Sequence, residues 1–372
     1  MNQTMCVAPQ LQLHRVFNIY YCAHVSYGVR FYFLVKEGLL LHPNVNLVQN
    51  PAQADLIVYL PTSAEWQKSE CNNPQYAERL VVMDEGDGSD VFQPPGRVHG
   101  RDRWNLLYFK RSYVRRRDGA FGGYMPYLKI DNSGMILPMT YTVAEAYINP
   151  KYIPYKQREL DLLCTLRGSK FDPTRSRVKQ WVEEYARARG ILKYHAGELN
   201  GESRTVISNG YFKRMHTAKI IVTSNPSNWE GDFRMMEALG SGAAVLIDHM
   251  MVPRPHPLVA GRHIMYYDNK NKTDLFEKLD AILQNVESSQ KMAARGYLWS
   301  LKHHRAVNLL DYVLRTAHSL LMQKANALSM GAYGGDDIMR NRERYGGYTQ
   351  TGFDMRQIAF DRAKNMMKTK VR

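Results

Sequence analysis

Short apolar runs alternate with helical patterns over most of the chain, and this alternation predicts its secondary structure. Each run is rich in residues that favour β-strands and is followed by polar residues typical of loops. In the first half, the predicted strands are Val16 to Cys22, Asp55 to Leu60, Leu80 to Met83, Asn105 to Phe109 and Met135 to Leu137. In the second half, they are Asp161 to Leu166, Leu192 to His195, Lys219 to Thr223, Ala243 to Ile247 and His263 to Tyr267. The alternation predicts an α/β fold with parallel sheets and crossover helices.

Apolar residues at helical spacing fill the segments between the later strands. They predict helices over Arg175 to Arg189, Val206 to Thr217, Trp229 to Leu239, Thr273 to Gln284, Ser288 to Ser300 and Arg305 to Lys324. The segment INPKYIPYK, from Ile148 to Lys156, carries two prolines that interrupt regular structure, and it predicts the domain boundary. We therefore expect domains at 1–150 and 151–300, a helix at 301–330 that crosses back over them, and a basic peripheral tail at 331–372.

The composition limits the function only broadly. A chain of 372 residues with 44% hydrophobic content is long enough for two domains, each with its own core. Its formal net charge of +15 attracts anions such as nucleotide sugars, acidic glycans, nucleic acid or anionic membranes. The four cysteines, at positions 6, 22, 71 and 164, are widely scattered and lack C-x-x-C spacing. They are therefore expected to be reduced, buried thiols of an intracellular protein.

No apolar run approaches the roughly 18 residues of a membrane-spanning helix. The N-terminal sequence MNQTMCVAPQLQLHR lacks the charged-then-apolar order of a signal peptide. These patterns predict a soluble, cytoplasmic protein without stable membrane insertion.

The segment WEGDFRMMEALGSGAAVLID, from Trp229 to Asp248, predicts a ligand-binding helix followed by a buried strand. Glu230, Arg234 and Glu237 fall at i, i+4 and i+7, so one helix face carries two carboxylates and a guanidinium. A glutamate can bind both hydroxyls of a ribose, and an arginine can neutralise a diphosphate. This combination suits a nucleotide sugar, although an ion pair on a solvated helix face would give the same pattern.

Two motifs resemble those of the exostosin-like glycosyltransferases. DFRMMEALGSGAAVLI is similar to the R-x-x-E-A segment and following strand of that family, except that Ala244 stands where the family usually has proline. LLCTLRGSKFDPTRSRV resembles the strand, loop and helix that open the family's donor domain. The resemblance implies the B fold, in which two Rossmann-like domains face a cleft and C-terminal helices pack back across them. It also implies an acceptor site in the first domain and a nucleotide-sugar site in the second.

The family's usual location leaves two alternatives open. Its animal and plant members are usually anchored in the Golgi membrane, and this sequence shows no anchor. The resemblance therefore implies either a Golgi-lumen protein separated from its anchor, or a cytoplasmic relative such as those of large algal viruses.

Loops beyond the carboxyl ends of the second-half strands are the expected donor site. Glycine in the first of these loops would let the backbone approach a phosphate, and nearby arginine and hydroxyl groups would donate hydrogen bonds to it. The helix that follows Ser224 and Asn225 has N-terminal amides that can bind an anion. The candidate donor-binding residues are Arg167, Gly168, Ser169, Arg175, Ser224, Asn225, Trp229, Glu230, Arg234 and Glu237.

An acidic, glycine-rich turn follows the strand at Leu80 to Met83 and is the expected catalytic region. Inverting sugar transfer requires a general base that takes the proton of the attacking hydroxyl. The candidates are Asp84, Glu85 and Asp87 in the turn, and His24 after the first strand. Alternatively, the turn only satisfies backbone amides. Inversion is expected from the resemblance, but Glu230 and Glu237 resemble the paired glutamates of retaining relatives.

No cofactor or metal is expected beside the nucleotide-sugar co-substrate. DEGDGSD does not fit a calcium loop, and no histidine pair has zinc spacing. Dehydrogenase and P-loop motifs are missing too. The resemblance favours a metal-independent enzyme and UDP-linked donors. It leaves xylose, glucuronic acid, galactose and N-acetylglucosamine open as the sugar, and a glycan or glycoprotein as the acceptor.

A basic, aromatic cluster provides the main alternative. Lys110, Arg111 and Tyr113 belong to the segment YFKRSYVRRR, and such interleaving is typical of grooves that bind single-stranded nucleic acid. Aromatic residues also stack on sugar rings, and the cluster follows a strand at the expected acceptor site. The three residues are therefore assigned to acceptor binding, and a nucleic-acid-binding protein without enzymatic activity is the second hypothesis.

Overall fold

The computed structural model describes most of the predicted elements. The described residues are 13–22, 37–60, 71, 73–84, 106–111, 136–149, 152–166, 173–197, 209–225, 233–249 and 254–329. They form two separate parallel sheets with helices between and around the strands. The expected α/β fold with two Rossmann-like units is therefore confirmed.

The first sheet is built from the N-terminal half. Its strands are β1 (Phe17–Cys22), β2 (Val45–Leu47), β3 (Leu56–Tyr59), β4 (Leu80–Asp84), β5 (Leu107–Lys110) and β6 (Ile136–Pro138), in the order β2-β1-β3-β4-β5-β6. All neighbouring strands are parallel. The central strands β3, β4 and β5 are buried along their whole length, as expected for a parallel sheet covered on both faces.

The second sheet is built from the C-terminal half. Its strands are β7 (Leu160–Cys164), β8 (Tyr194–Ala196), β9 (Ala218–Thr223), β10 (Ala244–Asp248) and β11 (Met265–Tyr267), in the order β11-β10-β9-β7-β8. These strands are also parallel throughout. The second sheet therefore follows the doubly wound order 2-1-3-4-5, and the first sheet has the same order with a sixth strand added at its end. In both sheets, the chain reverses direction across the sheet between its first and third strands.

Seven α-helices lie in the described part of the chain. They are α1 (Gly38–Leu41), α2 (Pro173–Ala188), α3 (Asn209–Thr217), α4 (Phe233–Ser241), α5 (Lys272–Gln284), α6 (Val286–His303) and α7 (Ala306–Ser329). The apolar faces of α3, α4, α6 and α7 contribute to one large hydrophobic core that also includes residues of the first sheet. This shared core fixes both sheets in one packed molecule.

The last helix joins the two halves. The backbone N–H of Val143 donates to the carbonyl of His304, 2.8 Å away, just before α7 begins. Farther along α7, Asp311 accepts hydrogen bonds from the backbone of Leu13 and from Nε2 of His42, each at 3.1 Å. The predicted C-terminal helix thus packs back onto the N-terminal half.

The linker between the sheets is fixed by a buried arginine. The guanidinium of Arg158 donates to the carbonyls of Ile153, Ala218 and Ser241 at 3.0, 2.8 and 2.9 Å. Ala218 begins β9 and Ser241 ends α4, so this contact lies at the amino edge of the second sheet. Burial lowers the pKa of Arg158 to about 10, and the group remains charged at neutral pH.

The expectation of reduced cysteines is wrong for two of the four. Cys22, which ends β1, and Cys71 form a disulfide with a Cα–Cα distance of 6.5 Å. Cys164 is a free, buried thiol, and burial raises its pKa to about 12. Cys6 lies outside the described residues. The two paired cysteines are separated by 49 positions, and the chain brings them together beside the carboxyl end of β1.

None of the described helices is both long and apolar enough to cross a membrane.

Candidate functional site

The topology places a crevice at the carboxyl edge of each sheet. In doubly wound sheets, ligands bind where the strand order reverses, which is between β1 and β3 in the first sheet and between β7 and β9 in the second. Ser224 and Asn225 directly follow β9, and Thr165 follows β7. The predicted donor residues after β9 therefore lie at the reversal point of the second sheet.

A fully buried carboxylate organises this edge. Oδ1 of Asp248, the last residue of β10, accepts from the backbone N–H and the side-chain Nδ2 of Asn225, both at 2.7 Å. Oδ2 accepts from the hydroxyl of Ser224 at 3.2 Å and from Nδ2 of Asn269. Asp248 is 0% exposed, so these charge-assisted bonds hold the segments that follow β9 and β11 against the end of β10.

The electrostatic effect of Asp248 extends to the neighbouring strand. Tyr267 in β11 is fully buried and donates its hydroxyl to the carbonyl of Thr223 at 2.9 Å. Burial raises the pKa of Tyr267 well above its ordinary value, and the charge of Asp248 raises it further. Tyr267 therefore stays neutral and acts as a hydrogen-bond donor at the end of β9.

Helix α4 places Glu237 in an aromatic environment. The Glu237 side chain is 5% exposed, and its Oε2 accepts a hydrogen bond from the hydroxyl of Tyr211 on α3. Phe233, one turn earlier, packs edge-on against Tyr147. The negative charge of Glu237 contributes to raising the pKa of Tyr147, although burial is the larger cause. Tyr211 thus orients a desolvated carboxylate that can accept hydrogen bonds from hydroxyl groups.

Two predicted donor arginines lie near the carboxyl ends of the same strands. Nε of Arg175, in the first turn of α2, donates to the carbonyl of Ser224 at 3.3 Å. Arg234 on α4 is close enough to Cys164 at the end of β7 for its positive charge to lower the pKa of that thiol, against the larger effect of burial. The structure therefore brings Arg175, Ser224 and Asn225 together, and the charge of Arg234 acts on the end of β7.

At the edge of the first sheet, Asp84 is part of a buried ion pair. Its Oδ2 accepts from Nζ of Lys110 at 3.0 Å and from the hydroxyl of Tyr108. Asp84 is 4% exposed and Lys110 is 1% exposed. A general base must reach the acceptor hydroxyl, whereas this carboxylate is occupied by a cation and a phenol. These contacts favour a structural role for Asp84 and Lys110 over the predicted roles in proton transfer and acceptor binding.

Two buried arginines lie where the two halves meet. Arg111 follows β5 and lies 4.8 Å from the ring centroid of Tyr141. Arg254, in the segment after β10, donates to the hydroxyl of Thr140. Burial lowers the pKa of Arg254 to about 10, with a smaller contribution from the positive charge of Arg111. A residue from each half therefore contributes positive charge to this junction.

The two described residues of the basic cluster are less exposed than a nucleic-acid-binding surface requires. Its described members, Lys110 and Arg111, are 1% and 2% exposed. Phosphate contacts depend on lysine and arginine groups that reach solvent and displace counterions. The arrangement of these two residues therefore does not favour the alternative function.

Several predicted site residues lie outside the described part of the chain. They are the catalytic candidates His24, Glu85 and Asp87, the acceptor candidate Tyr113, and the donor candidates Arg167, Gly168, Ser169, Trp229 and Glu230. Among the described residues, no group of three or more histidine, cysteine, aspartate or glutamate side chains is placed to hold a metal ion.

Sequence reasoning missed Asp248, Tyr211 and Arg254. Asp248 ends a predicted strand, and a carboxylate at the carboxyl end of an otherwise apolar strand was a usable signal. Tyr211 and Arg254 carry no local signal, because the first is defined by its contact with α4 and the second by its position against the N-terminal half.

Comparison with known proteins finds a family that is similar to the second half of the chain. Residues 161–315 match the family model described as Glycosyl transferase-like. The match includes β7 to β11, the Asp248 cluster and α4 with Glu237. The comparison with curated proteins finds no match.

Two solved structures align with most of this chain. A glycosyltransferase from Rickettsia africae ESF-5 aligns with a TM-score of 0.52 at 10% identity, over 83% of this chain and 99% of that one. Anabaena Alr3699/HepE, crystallised with UDP and glucose, aligns with a TM-score of 0.47 at 12% identity, over 82% and 100% of the two chains. The likeness to the Rickettsia protein establishes the fold, and the expected two-domain B fold is confirmed.

Proposed function

We propose that the protein is a glycosyltransferase that moves a sugar from a nucleoside diphosphate to a hydroxyl of a glycan or glycoprotein acceptor. The observation that carries this proposal is the position of Glu237, Asn225 and Asp248 in the part of the chain that matches the Glycosyl transferase-like family model. Asn225 and Asp248 are buried at the carboxyl edge of the second sheet, and Glu237 is buried on α4, the helix that follows β9. Ligands of doubly wound sheets bind at this edge.

In the proposed site, Glu237 accepts hydrogen bonds from the ribose hydroxyls of the donor. Tyr211 holds one carboxylate oxygen, which fixes the orientation of the group before the ligand arrives. Arg175 and Arg234 provide positive charge for the diphosphate, and Arg167 and Ser169, which follow β7 in the sequence, are further candidates. Helix α4 would therefore contribute to both parts of the donor, through Glu237 to the ribose and through Arg234 to the diphosphate.

UDP-linked sugars are the proposed donors, with xylose as the first sugar to test. This choice rests on the resemblance to exostosin-like enzymes, which also favours a metal-independent, inverting reaction. Glu230 and Glu237 keep a retaining reaction as the alternative. Since Asp84 is paired with Lys110, the proposed general base of an inverting reaction is Asp87, Glu85 or His24.

The first test is a thermal-shift screen of nucleotide sugars, followed by detection of transfer or hydrolysis of those that bind. A ligand at a hundred times its dissociation constant should stabilise the fold by about 2.7 kcal/mol. The reaction should persist in excess EDTA, because arginine side chains neutralise the leaving diphosphate in this proposal. Loss of transfer with EDTA and recovery with Mn²⁺ would show that a metal is required. Absence of any nucleotide-dependent shift or turnover would refute the proposed function.

The nucleic-acid alternative is tested with the same preparation. A nucleic-acid-binding protein should bind an oligonucleotide with an affinity that falls steeply as salt is raised. The buried positions of Lys110 and Arg111 lead us to expect no such binding through these two residues.

A further inference from the structure

Asn225 occupies the central position at the reversal point of the second sheet. It follows β9, and β9 lies between β10 and β7 in the sheet order. The residue is 0% exposed. Its neighbour Ser224 contacts Arg175 through its carbonyl, so the Asn225 side chain is held next to a segment of the proposed donor site.

The orientation of the Asn225 amide is determined by Asp248. Nδ2 of Asn225 donates to Oδ1 of Asp248 at 2.7 Å and to the Asp248 carbonyl at 3.1 Å. Turning the amide over would place its oxygen against a carboxylate and a carbonyl, which both repel it. The donor end must therefore face Asp248, and Oδ1 must point away from it.

Oδ1 of Asn225 is buried without a hydrogen-bond partner in the part of the chain that the structure describes. A buried acceptor left unsatisfied costs about 1 to 3 kcal/mol. The fold accepts this cost at the position where topology predicts a ligand. A carbonyl oxygen attracts O–H and N–H groups and repels phosphate oxygens, so its partner is not the diphosphate.

We propose that Asn225 Oδ1 accepts a hydrogen bond from a hydroxyl or N–H group of the nucleotide sugar, and that Asp248 is the positioning residue that aims it. This inference rests on the proposed function and extends it, because it adds an uncharged side chain that recognises a hydroxyl or N–H group to the charged side chains that bind the phosphates. The hydrogen-bond donor can belong to the sugar or to the nucleoside, and the experiment separates these two sources.

The test compares three probes, UDP, UDP-glucose and inorganic pyrophosphate, by calorimetry on the full chain. Asn225→Leu keeps the approximate side-chain size but removes both polar atoms. It should weaken binding of the ligand that carries the donor group by roughly 5- to 150-fold, the range for a lost buried hydrogen bond. Pyrophosphate affinity should stay within about twofold of the wild-type value, since the lost acceptor does not contact phosphate.

The pattern over the probes identifies the source of the donor group. Equal weakening of UDP and UDP-glucose assigns the group to the nucleoside, and weakening of UDP-glucose alone assigns it to the sugar. Asn308→Leu in α7 is the matched control, because it makes the same change at another buried asparagine, which is 7% exposed. The control should leave the affinities for all three probes at wild-type values.

A second variant protects the test against misfolding and isolates the role of Asp248. Asp248→Ala removes the carboxylate that orients the amide. It should weaken binding of the same probes as Asn225→Leu and leave pyrophosphate affinity within about twofold of the wild-type value, whereas a purely structural defect would weaken all three.

Three results overturn the inference. They are wild-type affinities in Asn225→Leu, equal weakening of all three probes, and a pattern over the probes in Asp248→Ala that differs from the pattern in Asn225→Leu. Wild-type protein that binds neither nucleotide would overturn the proposed function together with this inference. Wild-type binding that Asn225→Leu leaves unchanged would overturn the inference alone.

Discussion

Arg158 provides a direct test of how the linker between the two sheets is held. Arg158→Met keeps much of the apolar stem but removes the guanidinium that donates to the carbonyls of Ile153, Ala218 and Ser241. Arg158 is only 3% exposed, so water cannot readily replace these donors. The expected result is a less stable protein with an intact donor site.

Two opposing effects determine the size of this change. Each hydrogen bond from a charged donor contributes about 1.5 to 3 kcal/mol, so three of them contribute roughly 6 kcal/mol. Against this, burial lowers the pKa of Arg158 from 12.5 to about 10, which corresponds to a cost of about 3 kcal/mol for keeping the charge in the protein. The hydrogen bonds outweigh the burial cost, and the substitution should destabilise the fold by about 3 kcal/mol.

Urea and thermal unfolding, followed by circular dichroism, measure this loss. A change of about 3 kcal/mol corresponds to a decrease in Tm of roughly 6 to 12 °C for a domain of this size. Arg187→Met is the matched control, because the Arg187 side chain is 71% exposed and its pair with Glu183 is a surface contact. Arg158→Lys should be intermediate, since one ammonium cannot reproduce the geometry of the guanidinium.

The reasoning would be refuted by an Arg158→Met protein whose Tm lies within about 2 °C of the wild-type value, which corresponds to less than about 1 kcal/mol. It would also be refuted if Arg158→Met lost nucleotide affinity in its folded state. Arg158 contacts the first residue of β9, whereas the proposed site follows the last, so binding at low temperature should be unaffected.

Three further predictions concern other parts of the molecule. Reducing the Cys22–Cys71 disulfide, or replacing Cys71 with serine, should lower the free energy of unfolding by about 4 kcal/mol, because the disulfide closes a loop between cysteines separated by 49 positions. Urea unfolding with and without reductant measures this loss. Equal urea midpoints in the two conditions would contradict this. Burial lowers the pKa of His263 and His303 to about 4, so these two residues take up protons at a higher pH in the unfolded chain than in the folded protein. The free energy of unfolding should therefore be highest above about pH 6.5 and decrease as the pH falls towards 4. His303→Phe keeps an aromatic ring beside Trp299 and should make the free energy of unfolding less dependent on pH, as urea titrations at several pH values will measure. An unchanged pH dependence would contradict this prediction. Glu237→Gln should weaken UDP binding by about 1 to 3 kcal/mol in calorimetry, and wild-type affinity in the folded variant would exclude the ribose contact.

The alternation of strands and helices was predictable because it depends on local periodicity. Each of the ten predicted strands overlaps an observed strand, and the ends differ by only a few residues. The strand that was missed, β2 (Val45–Leu47), has only three residues and is partly exposed. Pairing with β1 defines it, and its own sequence lacks the apolar run of a central strand.

The chemistry of the site was only partly predictable. Asn225, Arg234 and Glu237 could be named as donor-site candidates because helical register, strand ends and a family resemblance are all visible in the sequence. The environment of each group was not visible. Asp84 and Lys110 looked like separate site residues, but the register that aligns β4 with β5 places them opposite each other as a buried pair.

The sequence by itself determined which segments form strands and helices, and therefore the class of fold, because those preferences arise within a few neighbouring residues. Tertiary structure alone decided the contacts between distant positions. It paired Cys22 with Cys71, placed Tyr211 against Glu237, and directed the Asn225 amide towards Asp248. These contacts depend on the order and register of the strands, which are set by the packing of the whole chain.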